Sequence, residues 1–145
     1  MLMILPFIVA CDKKDGGDKK PSDSAPTVAM WMEHSYDKLR ADMNVPKNPE
    51  TTYTVSLAKN ETESVNIGLR TTSSTPLLNF KVLSGDNANI EVSVFHVVEV
   101  LKLGHTRYTD PTAPLGSGKR FKLEQNKTMA VLVDFKTTKD TPVGD

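Results

Sequence analysis

Two carboxylates, Glu61 and Glu63, stand close together in Ala58-Lys59-Asn60-Glu61-Thr62-Glu63-Ser64. Glycoside hydrolysis uses such a pair about 5–9.5 Å apart, one as general acid and the other as base or nucleophile. Residues i and i+2 of an extended chain share a face, and this pair opens a strand at a turn. A solvated strand end, or a structural hydrogen bond, is therefore the favoured reading. Asp110, in Tyr108-Thr109-Asp110-Pro111, is the better loop candidate, against the plainer account that its carboxylate caps a turn before proline. The three histidines, His34, His96 and His105, show no metal-ligand spacing. His96 falls within a strand pattern, where a partly buried, hydrogen-bonded ring is expected. Trp31 is the single tryptophan. An exposed aromatic can be a stacking platform for a sugar. The neighbours Val28, Met30 and Met32 instead favour a core or interdomain anchor. Trp31, Glu61, Glu63, Tyr108 and Asp110 are thus the residues through which a ligand or a neighbouring domain could be met.

The elements that must position these residues are strands. Tyr53, Val55 and Leu57 alternate with polar residues, as do Val65, Ile67 and Leu69, then Leu78, Phe80 and Val82, then Ile90, Val92 and Val94. Met129, Val131, Val133 and Phe135 share one face of a further run. Period-two alternation rich in β-branched residues is the signature of half-buried strands. From Phe95 to Leu103 the apolar face shifts near His96 to Val98, which predicts a bulge or a passage from one sheet to another. Turn-rich stretches separate the runs, and the connection from Gly104 to Arg120 reads as a long loop. Tyr36 to Met43 fits a short helical turn or an edge strand. The fold expected is all-β, an immunoglobulin-like or jelly-roll-type antiparallel β-sandwich over residues 28–145, incomplete at its C-terminal end.

Composition removes several function classes. Lys plus Arg equals Asp plus Glu at 18 each, so no global field draws nucleic acid. The single cysteine, Cys11, excludes an intramolecular disulfide and cysteine-built zinc or iron–sulfur sites. No phosphate-cradling glycine loop, nucleophile elbow or His-Glu helix motif occurs, and nothing supports a metal or organic cofactor. Asn60-Glu61-Thr62 and Asn126-Lys127-Thr128 match the glycosylation acceptor pattern, read here as accidental.

Met1 to Ala10 is apolar and too short for the roughly 20 residues of a membrane span, but it fits the apolar core of a secretory signal. Ile8-Val9-Ala10-Cys11 resembles the box that ends a bacterial lipoprotein signal, although Met1-Leu2-Met3 carries no Lys or Arg. That resemblance implies cleavage before Cys11 and lipidation of its thiol, which would hold the protein at a membrane. The alternative is a buried N-terminal strand with an inert core cysteine. Residues 11–27 are almost free of apolar side chains and read as a flexible tether. Charged residues directly after the cysteine resemble the export signal of surface lipoproteins. The expected location is the bacterial cell envelope, on the periplasmic or cell-surface side of the outer membrane.

Several motifs in order resemble one family. Trp31 followed by Lys38-Leu39 looks like its opening strand, and Ala58 to Ser64 its "A-x-N-E-x-E-S" turn. Asp110-Pro111-Thr112-Ala113-Pro114-Leu115 is similar to its "D-P-L-x-P" loop. Asn126 with Val131 and Val133 resembles an "N-x-x-x-W-V-x-V" strand whose Trp is here Ala130 or Val131. Thr141-Pro142-Val143-Gly144-Asp145 resembles a "T-P-x-G-x-Y-x-G" turn. The family is that of bacterial glycoside hydrolases of the family 123 type and their relatives, and the likeness is to their N-terminal β-sandwich. It implies a non-catalytic accessory domain, with the catalytic carboxylates in a following barrel domain of the same protein. A stand-alone module binding glycan or protein at the cell surface, and a structural spacer, are the other two readings.

Overall fold

A computed structural model describes residues 10–11, 28–72, 77–79, 89–98, 100–101, 107–108, 112–115 and 120–142. The fold is all-β, with no helix among these residues. The strands are β1 (Ala10–Cys11), β2 (Val28–His34), β3 (Thr62–Thr71), β4 (Leu77–Asn79), β5 (Glu91–Val97), β6 (Val100–Leu101), β7 (Arg107–Tyr108), β8 (Thr112–Pro114), β9 (Arg120–Lys122) and β10 (Thr128–Lys136). A five-stranded antiparallel sheet runs β2-β3-β10-β5-β8, a three-stranded sheet runs β1-β4-β9, and β6 pairs with β7.

The central pair β3–β10 is in register from Arg70 opposite Thr128 to Thr62 opposite Lys136. Alternation along it sends Val65, Ile67 and Leu69 to the same face as Val131, Val133 and Phe135, and all six are buried. Met32 joins them from β2, together with Ile90 and Leu123. Leu123 directly follows β9 in the chain. The segment Tyr53, Val55 and Leu57 covers the same face, half-burying alternate residues as its sequence predicts, but it joins no ladder among the described residues. Alternation reports which side of a chain is buried and is silent on whether a neighbour completes the hydrogen bonds.

The opposite face has its own small core of Trp31, Leu39 and Ala130, flanked by Met43, Val45 and Val97. Trp31 lies opposite Gly68 on β3 and is fully enclosed at 0% exposure. A Cβ on Gly68 would stand 2.3 Å from the indole Cε2, so only glycine leaves room for the ring there. Residues 35–45 form neither the helical turn nor the edge strand that the sequence allows. They run as a strap between two tight turns, closed by Asp37 N–H to His34 O at 3.0 Å and Met43 N–H to Arg40 O at 3.0 Å. Leu39, between them, is the strap's buried anchor.

Two further expectations meet the structure. The shift of apolar face near His96 to Val98 coincides with a change of sheet, since β5 ends at Val97 in the large sheet and β6 belongs to the small one. The span from Gly104 to Arg120 is not one loop, because β7 and β8 lie within it. β8 takes the sheet edge with Phe95 opposite Pro114, a place where proline's missing N–H is tolerated.

Because Trp31 and Gly68 share one space, their substitutions should couple. Gly68→Ala is expected to cost about 1–3 kcal/mol by overpacking, and Trp31→Ala about 3–5 kcal/mol by cavity formation. In the double variant Gly68→Ala no longer meets the ring, so the combined loss should fall short of the sum. Urea unfolding of the four proteins measures this, and strict additivity would refute the contact.

Candidate functional site

The run that carries Glu61 and Glu63 is built as a structural turn. Asn60 has φ 60°, the left-handed region that asparagine enters more readily than most residues. That twist brings the Glu61 carboxylate back to accept from the Ala58 N–H. Thr137, just beyond β10, ties the turn to the sheet. Its hydroxyl donates to Ala58 O at 2.6 Å and accepts from Glu61 N–H at 3.1 Å, while its own N–H donates to Glu61 O at 2.9 Å. Glu61 is therefore spent on holding a backbone conformation. Glu63, two residues on, is exposed on the face that also carries His34 and Val65.

Other motif residues are used in the same way. Asn126 has φ 58° and turns the chain into β10, its N–H donating to Thr71 O at 2.8 Å. The Thr141 hydroxyl accepts from Thr138 N–H at 2.8 Å and donates to Asn89 O at 3.1 Å, tying the chain after β10 to the chain before β5 at one end of that pair. Residues 143–145 lie outside the described residues, as do Asp110, His105 and the tether between Cys11 and Val28. Tyr108 and Cys11 have their backbones in β7 and β1, with their side chains outside the description.

Trp31, weighed above as a sugar platform, is a core side chain with no face open to a ligand. Its Nε1 is buried with no hydrogen-bond partner. The exposed aromatic group is elsewhere. Tyr36, 72% exposed, stacks on His34 with ring centroids 4.9 Å apart and planes 7° from parallel. Tyr53 meets His34 edge-on at 5.3 Å, and its hydroxyl is hydrogen-bonded to His34 Nδ1. Partial burial, then the Tyr36 hydroxyl and the carboxylates of Glu63, Asp37 and Glu50, push the Tyr53 hydroxyl above its ordinary range. This patch has an outward ring face, ring hydroxyls and nearby carboxylates, which suits a ligand rich in hydroxyl groups. The sequence signal was available in His34-x-Tyr36, where one side chain follows another around a turn, but Tyr53 joins them only in three dimensions.

A half-open hollow of about 100 Å³ lies beside the strap, lined by Ser35, Asp37, Leu39, Asn66, Ala130 and Leu132 among others. Its central amide is already committed, because Asn66 Nδ2 faces the carbonyls of His34, Ser35 and Asp37 at 3.3, 3.0 and 2.9 Å. Among the described residues no three His, Cys, Asp or Glu side chains converge to hold a metal ion. No helix among them is long and apolar enough to cross a membrane. His96 is partly buried, as expected, but its ring has no hydrogen-bond partner among the described residues. Comparison with protein-family models and with curated proteins finds no match for the chain.

Burial holds the His96 imidazole below its ordinary value of 6.5. The unfolded chain therefore takes up this proton at higher pH than the folded one. The stabilising contribution is complete above pH 6.5 and is lost as pH falls through the lowered folded value. Urea midpoints across that window should drop less in His96→Gln than in the unsubstituted protein. Equal slopes would show that His96 is not the group concerned.

Proposed function

We propose that this chain is a non-catalytic N-terminal accessory domain of a membrane-anchored glycoside hydrolase, held at the envelope by lipid on Cys11. One observation carries the reading. Four of the residues that carry the resemblance, Asn60, Glu61, Asn126 and Thr141, are engaged in turn geometry and sheet closure. A signature made of such residues suits a scaffold, and one of the two neighbouring carboxylates, Glu61, takes the structural hydrogen-bonding role that its sequence setting favours. The acid and base then belong to a following barrel domain, and the sandwich supports or orients it. Fold by itself would not carry this; the way the motif residues are spent is what supports it.

The expected result is that this chain alone hydrolyses no aryl N-acetylhexosaminide, while a protein in which a catalytic barrel domain follows it does. That protein should also leave the membrane fraction when Cys11 is changed to Ser. Turnover by the chain itself, abolished in Glu63→Gln or Asp110→Asn, would overturn the accessory reading.

The exposed Tyr36 on His34 favours a second reading, a cell-surface module that binds glycan. In that case Tyr36→Ala should abolish saturable glycan binding with the thermal midpoint unchanged, because the ring is exposed and its removal empties no core. A spacer would bind no glycan with or without Tyr36, and glycan-array or calorimetric titration distinguishes the two.

A further inference from the structure

The segment Thr51–Leu57 is a strand in every respect but one. Tyr53, Val55 and Leu57 are turned to the core, while Thr52, Thr54 and Ser56 face outward. Both ends are fixed. Glu50 O accepts from Met32 N–H at 2.7 Å, and Ala58 is held by Glu61 and Thr137. Between these anchors, no backbone group from Thr51 to Leu57 is hydrogen-bonded among the described residues. The segment therefore presents a row of N–H and C=O groups, already ordered, that satisfies no ladder among the described residues.

The edges of the large sheet are partly blunted. β2 has its Met32 N–H taken by Glu50 O, and β8 ends in Pro114. Thr51-Thr52-Tyr53-Thr54-Val55-Ser56-Leu57 has neither charge nor proline, and its residues favour extended structure. It also matches itself. Antiparallel pairing centred on Thr54 sets Tyr53 opposite Val55 and Thr52 opposite Ser56 in both directions. Aromatic with β-branched, and Thr with Ser, are favourable cross-strand pairs. A two-fold axis through Thr54 keeps the apolar residues of both copies on the side of their cores, and such an interface is isologous.

We propose that Thr51–Leu57 is a docking strand whose partner is the same segment of a second copy of this chain. Pairing continues the second layer of one molecule into that of the next and fills the backbone groups that a single molecule leaves open.

Thr54 tests this without touching the core, since its side chain is exposed and sits on the proposed axis. The full chain should show a concentration-dependent doubling of mass by light scattering on a sizing column. Thr54→Lys and Thr54→Glu, each alone, place like charges opposite one another and should weaken association about fivefold or more. An equal mixture of the two should recover the doubled mass. In the unsubstituted protein, amides of Thr52 to Ser56 should exchange with solvent more slowly as concentration rises, a readout that does not depend on any variant folding. A mass that stays single at every concentration, association indifferent to both Thr54 substitutions, or larger assemblies with no gain of amide protection in this segment would each overturn the proposal.

Discussion

The indole of Trp31 crosses β3 at the one position where no Cβ stands in its way. Gly68 permits this approach, and much of the second face follows from it. A ring laid flat on a sheet is still open to water above, so it must be covered. The strap of residues 35–45 supplies the cover through Leu39, and two polar anchors hold it down. Asn66 gathers carbonyls at its beginning. At its end Arg70 Nη1 and the Thr128 hydroxyl each reach Met43 O at 2.7 Å, and Thr128 N–H reaches Ala41 O at 2.9 Å. Asn66, Arg70 and Thr128 all come from the central pair β3–β10, which is the best-registered part of the molecule. The indole Nε1 stays unpaired beneath the strap. Leaving such a donor unsatisfied costs about 1–3 kcal/mol, so packing of the large ring must exceed that for the arrangement to persist.

The same central pair explains why short polar motifs recur at its ends. Each end must turn a chain sharply while satisfying its first and last backbone groups. Asn60 and Asn126 supply left-handed φ, and Thr137 and Thr141 supply hydroxyls that both donate and accept. These are demands for particular side chains at particular places. They produce a recognisable sequence pattern without any reacting group, and Glu61 in its turn is the clearest instance.

This is also why some of the structure was legible in the sequence and some was not. β3, β5 and β10 announce themselves because each alternates strictly and packs one face on the main core. Val98, where the apolar face shifts, marks the change of sheet for the same reason. Tyr53 to Leu57 alternates as well as any of them, yet alternation depends on burial of one face and not on pairing, so the missing ladder leaves no trace in the sequence. The strap was ambiguous because Leu39 is one buried residue between turns, too few for a period. Trp31 was placed among Val28, Met30 and Met32, but neighbours at odd and even positions point to opposite faces, and its true partners, Gly68 and Leu39, are distant in sequence. The exposure of Tyr36 is set by the turn after β2, which the Asp37 N–H closes onto His34 O and Asn66 holds from a distant strand.

What a folded chain leaves unsatisfied is where further contact can occur, provided that it can be reached. The Trp31 Nε1 is unsatisfied but enclosed, and it is a cost of packing with no outlet. The backbone of Thr51–Leu57 and the outer ring of Tyr36 are open. Tyr53 connects them, since its side chain leaves the open segment and its hydroxyl ends on His34, the ring beneath Tyr36. That hydroxyl is pushed above its ordinary range by partial burial first, then by the Tyr36 hydroxyl and the nearby carboxylates. Tyr53 thus belongs to both features: its backbone lies in the open segment and its ring packs edge-on against His34, on which Tyr36 is stacked.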